Sequence, residues 1–381
     1  MRIALFTPFS PEIGGGSTQL RDHLKELSEL DVEWFYLSGT EAGGRNRKWL
    51  GRPLTEREFL LDLSARTRFL PGSRKPVREI VKRMEADLYW VVGHYEGISV
   101  AAELLEQGKK VHLTVHDDPF GTWIRSNRYR MFRPLLHQTF PKVLHGAESI
   151  DVTSWGMRNL YREKYGVKCF ALYRHVKELP KLNILPGADK LTVGHIGSLY
   201  RTEPFRQFVE ASKIVATEQA KELRIVRIGT SPEIDAIAAE NPRIFQAHRD
   251  LSEENAIPIL AECDFVYAMY PGGKRYELFR KTSLPVKLST YIQAQRPVFA
   301  HSPPDSTLAR IVGAARLGRV CESERRDGIA SEIRKILQAS IPRAQFESLR
   351  EELMGSTQVH QLRAALRGEN WLQFPESDFR S

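Results

Sequence analysis

The chain has 381 residues, 41% of them hydrophobic and 27% charged, with a formal net charge of +9. That is enough for two domains of ordinary size, each with its own core. No run nears the ~20 apolar residues that a helix needs to cross a bilayer, so no membrane-spanning helix is expected. The three cysteines, Cys169, Cys263 and Cys321, lie in or beside apolar runs without pair spacing. They exclude a disulfide scaffold and a cysteine metal site and read as buried thiols of a cytoplasmic protein.

The charge is uneven. Residues 1–185 hold 29 Lys/Arg against 22 Asp/Glu, and 45–83 alone hold 12 against 4. Such a run reads as a solvated basic face, or as a surface that meets an anionic acceptor or the anionic lipid of a membrane, the latter a peripheral contact through 45–83. No nucleic-acid motif accompanies it, so nucleic acid is not expected as a partner.

The first stretch, Ile3 to Phe6, is a short apolar run of the kind that fills a buried parallel strand. Two prolines and Gly14-Gly15-Gly16 follow, and Ser17 and Thr18 open a helix whose Leu20, Leu24 and Leu27 share a face. Strand, glycine-rich loop and helix together offer backbone N–H groups to a phosphate or carboxylate. Val32–Leu37 is the next strand. Residues 39–76 read as a long insertion, helical near Glu56–Leu63, and 77–85 as a helix. Strands follow at 88–92, 111–115, 150–154 and 169–173, alternating with helices. The strand at 88–92 runs into Gly93-His94-Tyr95-Glu96-Gly97, and that at 111–115 into His116-Asp117-Asp118-Pro119. Arg125–Arg133 is basic with Tyr129 and Phe132 interleaved. A polar run at 176–189 serves as linker.

The pattern restarts at Leu191–Ile196, which ends in Gly197-Ser198 before a helix over 205–217. Strands at 223–228, 244–246, 263–269 and 297–300, a helix over 283–294, a strand starting near Val320 and helices over 326–367 complete it. Strands alternating with helices predict an α/β chain of two Rossmann-like parallel-sheet domains facing across a cleft. The domains are 1–180, carrying the basic insertion 39–83, and 181–381, whose last helices (326–381) have the option of packing back on the first.

Several stretches resemble the retaining GT-B glycosyltransferases of glycosyltransferase family 4. These are Phe6-Thr7-Pro8 through Gly14–Gly16; Leu113-Thr114-Val115-His116-Asp117; Asp151-Val152-Thr153-Ser154; Gly194-His195-Ile196-Gly197; Ser252-Glu253-Glu254 through Val266; and Ser283 through Tyr291 with Arg296-Pro297-Val298. The resemblance implies transfer of a sugar from a nucleoside-diphosphate donor to a glycan, lipid-linked or other hydroxyl acceptor, with retention, without a metal and with no cofactor beyond the sugar nucleotide. The alternatives are a non-catalytic nucleotide- or glycan-binding relative, and a sugar-nucleotide epimerase of the same fold.

The resemblance also assigns residues. His116 falls where the family places a histidine near the transferred sugar, and Asp117 orients that ring or accepts from a sugar hydroxyl; these are the candidate catalytic pair, with His94 a second candidate of the same kind and Asp118 a helix cap. Gly15 and Gly16 let backbone approach the donor or acceptor. Gly197 is the glycine of the second loop, and Arg201 is its nearby cation for the diphosphate. The family's two glutamates, eight positions apart, fall on Thr282 and Thr290, so both carboxylates are replaced by hydroxyls. Ser283 reads as an N-cap, with Lys287 one turn into the helix facing the diphosphate. Tyr267 and Tyr270 read as core. No Asp-x-Asp triplet for a metal diphosphate occurs.

Overall fold

The computed structural model describes residues 1–12, 14–40, 46–67, 71–122, 131–182, 186–249 and 251–374. Most of the basic Arg125–Arg133 stretch, Gly43-Gly44 and Phe379 lie outside these. Two compact units divide the chain. The first comprises Met1–His175, Lys281–Ser283 and the chain from Gly355 onward; the second comprises Val176–Arg280 and Leu284–Met354.

The first unit runs β1 (Arg2–Thr7), α1 (Gly15–Glu26), β2 (Asp31–Tyr36), β3 (Arg47–Trp49), α2 (Glu56–Thr67), α3 (Lys75–Lys82), β4 (Leu88–Val92), α4 (Glu96–Glu106), β5 (Val111–Val115), α5 (Pro119–Thr122), α6 (Arg133–Gly146), β6 (Ser149–Val152), α7 (Trp155–Tyr165) and β7 (Phe170–Ala171). Its seven strands stand in the order β3-β2-β1-β4-β5-β6-β7, every pair parallel. β4 and β5 throughout, and β1 from Ile3 onward, are buried because helices cover both faces. Alternate β1 residues serve opposite cores. Ala4 and Phe6 pack with Val100, Leu104 and Phe140. Ile3 and Leu5 pack with Leu20 and Leu27, and with Val359, Leu362 and Leu366 of the late helix Ser356–Arg367.

The second unit runs β8 (Lys190–Ile196), α8 (Thr202–Glu218), β9 (Glu222–Ile228), α9 (Pro232–Glu240), β10 (Phe245–His248), α10 (Glu253–Ala261), β11 (Phe265–Met269), α11 (Glu277–Thr282, its end grouped with the first unit), α12 (Lys287–Gln293), β12 (Val298–His301), α13 (Thr307–Ala314), β13 (Gly318–Cys321), α14 (Arg326–Leu337) and α15 (Arg343–Met354). Six parallel strands follow the order β10-β9-β8-β11-β12-β13. In each unit the order reverses beside the first strand, between β1 and β4 and between β8 and β11. Open α/β sheets bind ligands outside the carboxyl ends of strands at such switch points.

Three local expectations need correction. The first helix starts at Gly15, ahead of Ser17, so Gly15 and Gly16 form its first turn. The helix expected over 283–294 lacks its first residues: 283–286 are not helical, and the separate helix α11 ends before them at Thr282. Pro285 carries no N–H and disfavours helical backbone before it, so α12 begins only at Lys287. β3 was hidden inside the insertion. It is a charged three-residue edge strand held by backbone pairing, with Trp34 N–H to Asn46 O and Leu50 N–H to Tyr36 O, each 2.8 Å.

Part of the insertion's basic charge is paired within the unit. Arg52 binds Glu58, Arg66 binds Asp62 and Glu103, Arg74 binds Glu106, and Arg78 binds Glu103. The three cysteines are buried and form no disulfide, and the Tyr267 and Tyr270 rings are buried. Among the described residues no helix is long and apolar enough to cross a membrane.

Candidate functional site

In the first unit, residues from the carboxyl ends of β1, β4 and β5 come together. Gly14 takes φ +98° and turns the chain into α1, leaving the first amides of that helix without intrahelical partners. Gly16 meets His116 so closely that an added Cβ would stand 2.7 Å from its Nδ1; the glycine is there because the imidazole fills the space a side chain would take. Phe9 stacks on His116, with ring centres 6.1 Å apart, and meets the edge of His94 at 6.3 Å. Burial lowers the His116 pKa to about 4 and the His94 pKa to about 3. Both rings are therefore neutral near pH 7, and each presents one donor and one acceptor nitrogen. His116 Nε2 is buried with no hydrogen-bond partner.

Asp117 does not orient His116: no hydrogen bond joins them. Its Oδ1 accepts from Ser283 Oγ at 3.3 Å, so Ser283, rather than capping α12, ties its segment to the end of β5. Thr282 is buried nearby, its carbonyl accepting from Ser154 Oγ. Asp118 is the cap, accepting from the amides of Phe120 and Gly121 at 2.9 Å and from the Tyr161 hydroxyl at 3.0 Å. Burial raises its pKa.

In the second unit the site forms where β8 ends. Gly197 has φ +77°, a conformation that L side chains rarely adopt, and this turns the Ser198 carbonyl to accept from Lys287 Nζ at 2.8 Å. Burial lowers the Lys287 pKa to about 7, and among the described residues it makes no ion pair. His195 lies beneath the loop with its ring nitrogens 3.1 Å from the carbonyls of Tyr267 and Gly197. Burial, then the Lys287 charge, hold its pKa well below the ordinary value, so it donates to one carbonyl at a time. The Tyr291 hydroxyl accepts from Ile196 N–H and donates to Tyr267 O, which braces β8 against β11. Arg201 is paired with Glu324 at 3.1 Å on the surface. An exposed pair of that kind is worth little and is readily exchanged for another anion.

Thr290 lies one turn beyond Lys287 on α12, and its hydroxyl donates to Glu253 Oε1 at 2.5 Å. Gln293 Nε2 reaches the same oxygen at 3.4 Å. A carboxylate thus stands beside Thr290 although residue 290 is not acidic; it comes from the first turn of α10, capped by Ser252. Glu253 was visible only as part of a motif, because nothing in spacing along the chain links residue 253 to residue 290. Tyr95 and Glu96, at the carboxyl end of β4, and the brace Tyr291 were likewise missed as contributors.

No protein-family model matches the sequence, and a search of curated proteins finds no relative. Solved structures do match in fold. AviGT4, a glycosyltransferase involved in avilamycin A biosynthesis, is similar at 14% identity and TM-score 0.54 over 96% of this chain and 97% of its own. Sucrose-phosphate synthase from Thermosynechococcus elongatus is similar at 13% and 0.66 over 96% and 98%. A Listeria monocytogenes protein described as a UDP-N-acetylglucosamine 2-epimerase is similar at 12% and 0.59 over 96% and 95%. The fold is the GT-B fold of these enzymes. Because it serves both transferases and an epimerase, the choice of reaction rests on the chemistry of the sites.

Proposed function

We propose that this chain is a GT-B glycosyltransferase that moves a sugar from a nucleoside diphosphate, held by the second unit, to a hydroxyl acceptor held by the first, with retention. The observation that carries the reading is Lys287, a partly buried ammonium without a carboxylate partner among the described residues, set against the Gly197–Ser198 turn at a switch point. An unpaired cation of lowered pKa beside an exposed loop is what a diphosphate neutralises. Arg201 exchanges Glu324 for the same phosphates. Glu253, held by Thr290, accepts from the ribose hydroxyls, a role for which residue 290 itself has no carboxylate. As the glycosidic bond breaks, negative charge builds on the diphosphate oxygen. Lys287 and the loop amides stabilise that charge, and the departing phosphate takes the acceptor proton. His116, neutral, hydrogen-bonds the transferred sugar or the acceptor.

The test is release of nucleoside diphosphate by pure protein, screened over nucleotide sugars with and without candidate acceptors. Release only with acceptor, together with a glycosylated product, supports transfer. Interconversion of sugar epimers without an acceptor points to the epimerase reading, and nucleotide binding without turnover to a non-catalytic protein. A further expectation concerns the ribose. Glu253→Gln should leave inorganic pyrophosphate binding unchanged and lower nucleoside-diphosphate affinity about tenfold, the worth of a charge-assisted hydrogen bond. Equal losses for both ligands by calorimetry would remove Glu253 from the ribose.

A further inference from the structure

The turn from β4 into α4 holds Tyr95 at φ +46° and ψ −116°. Ala220, Gln295 and Arg316 are the other described non-glycine residues with positive φ, and each follows a helix C-cap, where left-handed backbone is common. Tyr95 instead begins a helix. Glycines on both sides make the turn possible: a Cβ on Gly97 would stand 1.8 Å from Val92 O, and one on Gly93 3.2 Å from Leu113 Cδ1. Strand, Gly-x-Tyr-x-Gly and helix form a sharp elbow, the shape by which α/β proteins lift one side chain clear at a strand end. Strain of this kind persists where surrounding structure enforces it and clusters at functional sites.

The elbow lies beside the β1–β4 switch point. The His94 and Tyr95 rings meet edge to face at 4.2 Å, Phe9 follows at 6.3 Å from His94, and His116 stacks on Phe9. All four residues are half-buried, as is Glu96. Burial raises the Glu96 pKa to about 7, so near neutral pH its carboxyl both donates and accepts. A row of rings offers flat apolar faces, and the carboxyl, the imidazoles and the unpartnered His116 Nε2 offer hydrogen bonds around them. A pyranose has the matching surface, a face of C–H groups rimmed by hydroxyls. We propose that this ring-lined patch of the first unit is a carbohydrate-binding subsite, in which Phe9 and Tyr95 stack on a pyranose ring and Glu96 binds its hydroxyls. The proposal rests on the transferase reading, for which it names the acceptor as a glycan.

The experiment measures binding of the full chain to cellobiose, maltose, lactose, chitobiose and mannobiose by saturation-transfer NMR and calorimetry. At least one disaccharide should bind. Tyr95→Gly removes the ring and relieves the backbone, so its Tm should equal or exceed that of the parent while affinity for the bound disaccharide falls tenfold or more. Tyr95→Phe should keep most of the affinity, and Glu96→Gln should lose several-fold. Equal binding by Tyr95→Gly and the parent, or no binding to any of the five sugars, would overturn the proposal. Nucleoside-diphosphate binding, read by thermal shift on the same samples, reports separately on the second unit: its retention in a chain that binds no disaccharide sinks the subsite alone, and its absence sinks the donor reading.

Discussion

Lys287→Ala is expected to weaken nucleoside-diphosphate binding roughly 100-fold, the loss of a charge-assisted contact to phosphate, and with it the ligand's protection against heat. The reason is the setting of the ammonium. Its hydrogen-bond partner is a carbonyl, Ser198 O, and no carboxylate among the described residues has to be displaced before phosphate binds. Burial lowers its pKa to about 7 from an ordinary 10.5, and a bound diphosphate raises it again. The two signs can be worked out. Ligand affinity requires the proton, so it is full below pH 7 and falls as pH rises through and above that value, by up to tenfold per unit. The unliganded fold behaves oppositely. Between about pH 7 and 10.5 the unfolded chain binds the proton that the folded site rejects, so this group makes stability rise with pH across that window. Lys287→Met, which keeps the apolar stem, should abolish both slopes. Calorimetric titration of the diphosphate at pH 6, 7, 8 and 9 checks the first and urea melts at the same values the second; a mutant with the parent's affinity would remove Lys287 from the site.

The largest effect on stability is expected at Gly97. Alanine favours a helix over glycine by about 1 kcal/mol, and residue 97 lies in the first turn of α4, so a reading by propensity predicts that Gly97→Ala stabilises. The structure reverses the sign. The new methyl would stand 1.8 Å from Val92 O and 2.9 Å from Val92 C, backbone of a strand buried on both faces that cannot move aside. Relief means displacing α4, which packs Ile98, Val100, Ala101 and Leu104 into the first unit's core. A cost above about 3 kcal/mol follows for overpacking of that severity, with the elbow and its ring row disturbed. Urea denaturation of the variant checks it, and a midpoint equal to the parent's would show that the turn is free to shift. Gly14→Ala makes the contrast: nothing lies within 4 Å of the added carbon, so only the backbone, at φ +98° and ψ +159°, opposes it, at about 1–3 kcal/mol for so nearly glycine-only a conformation.

The two α/β units, their parallel strands and most helix positions were readable from the sequence because those elements answer to local rules. Apolar runs such as Ile3–Phe6 and Leu88–Val92 have no stable place except a sheet covered on both faces. Pro232 opens α9 where its missing N–H costs nothing, and Gly197 announces a turn. The reading slipped where local rules were weak or opposed. Arg47–Trp49 has no apolar alternation, and its strand exists through pairing with Asp31–Tyr36. The hydrophobic periodicity of 283–294 favours helix throughout, but Pro285 delays the start of α12 to Lys287.

The chain alone determined that Gly16, His116, Gly197 and Lys287 stand at strand ends and helix starts, since each position follows from neighbours a few residues away. Only the tertiary structure decided what they meet. It put His116 against Gly16 across 100 residues, gave Asp117 to Ser283 instead of the imidazole, and brought Glu253 to Thr290 from another helix. The physical reason is that hydrogen bonds and contacts act over a few ångströms of space whatever their separation in sequence. A carboxylate absent at one position can therefore be supplied by a residue 37 positions earlier, and no pattern along the chain records it.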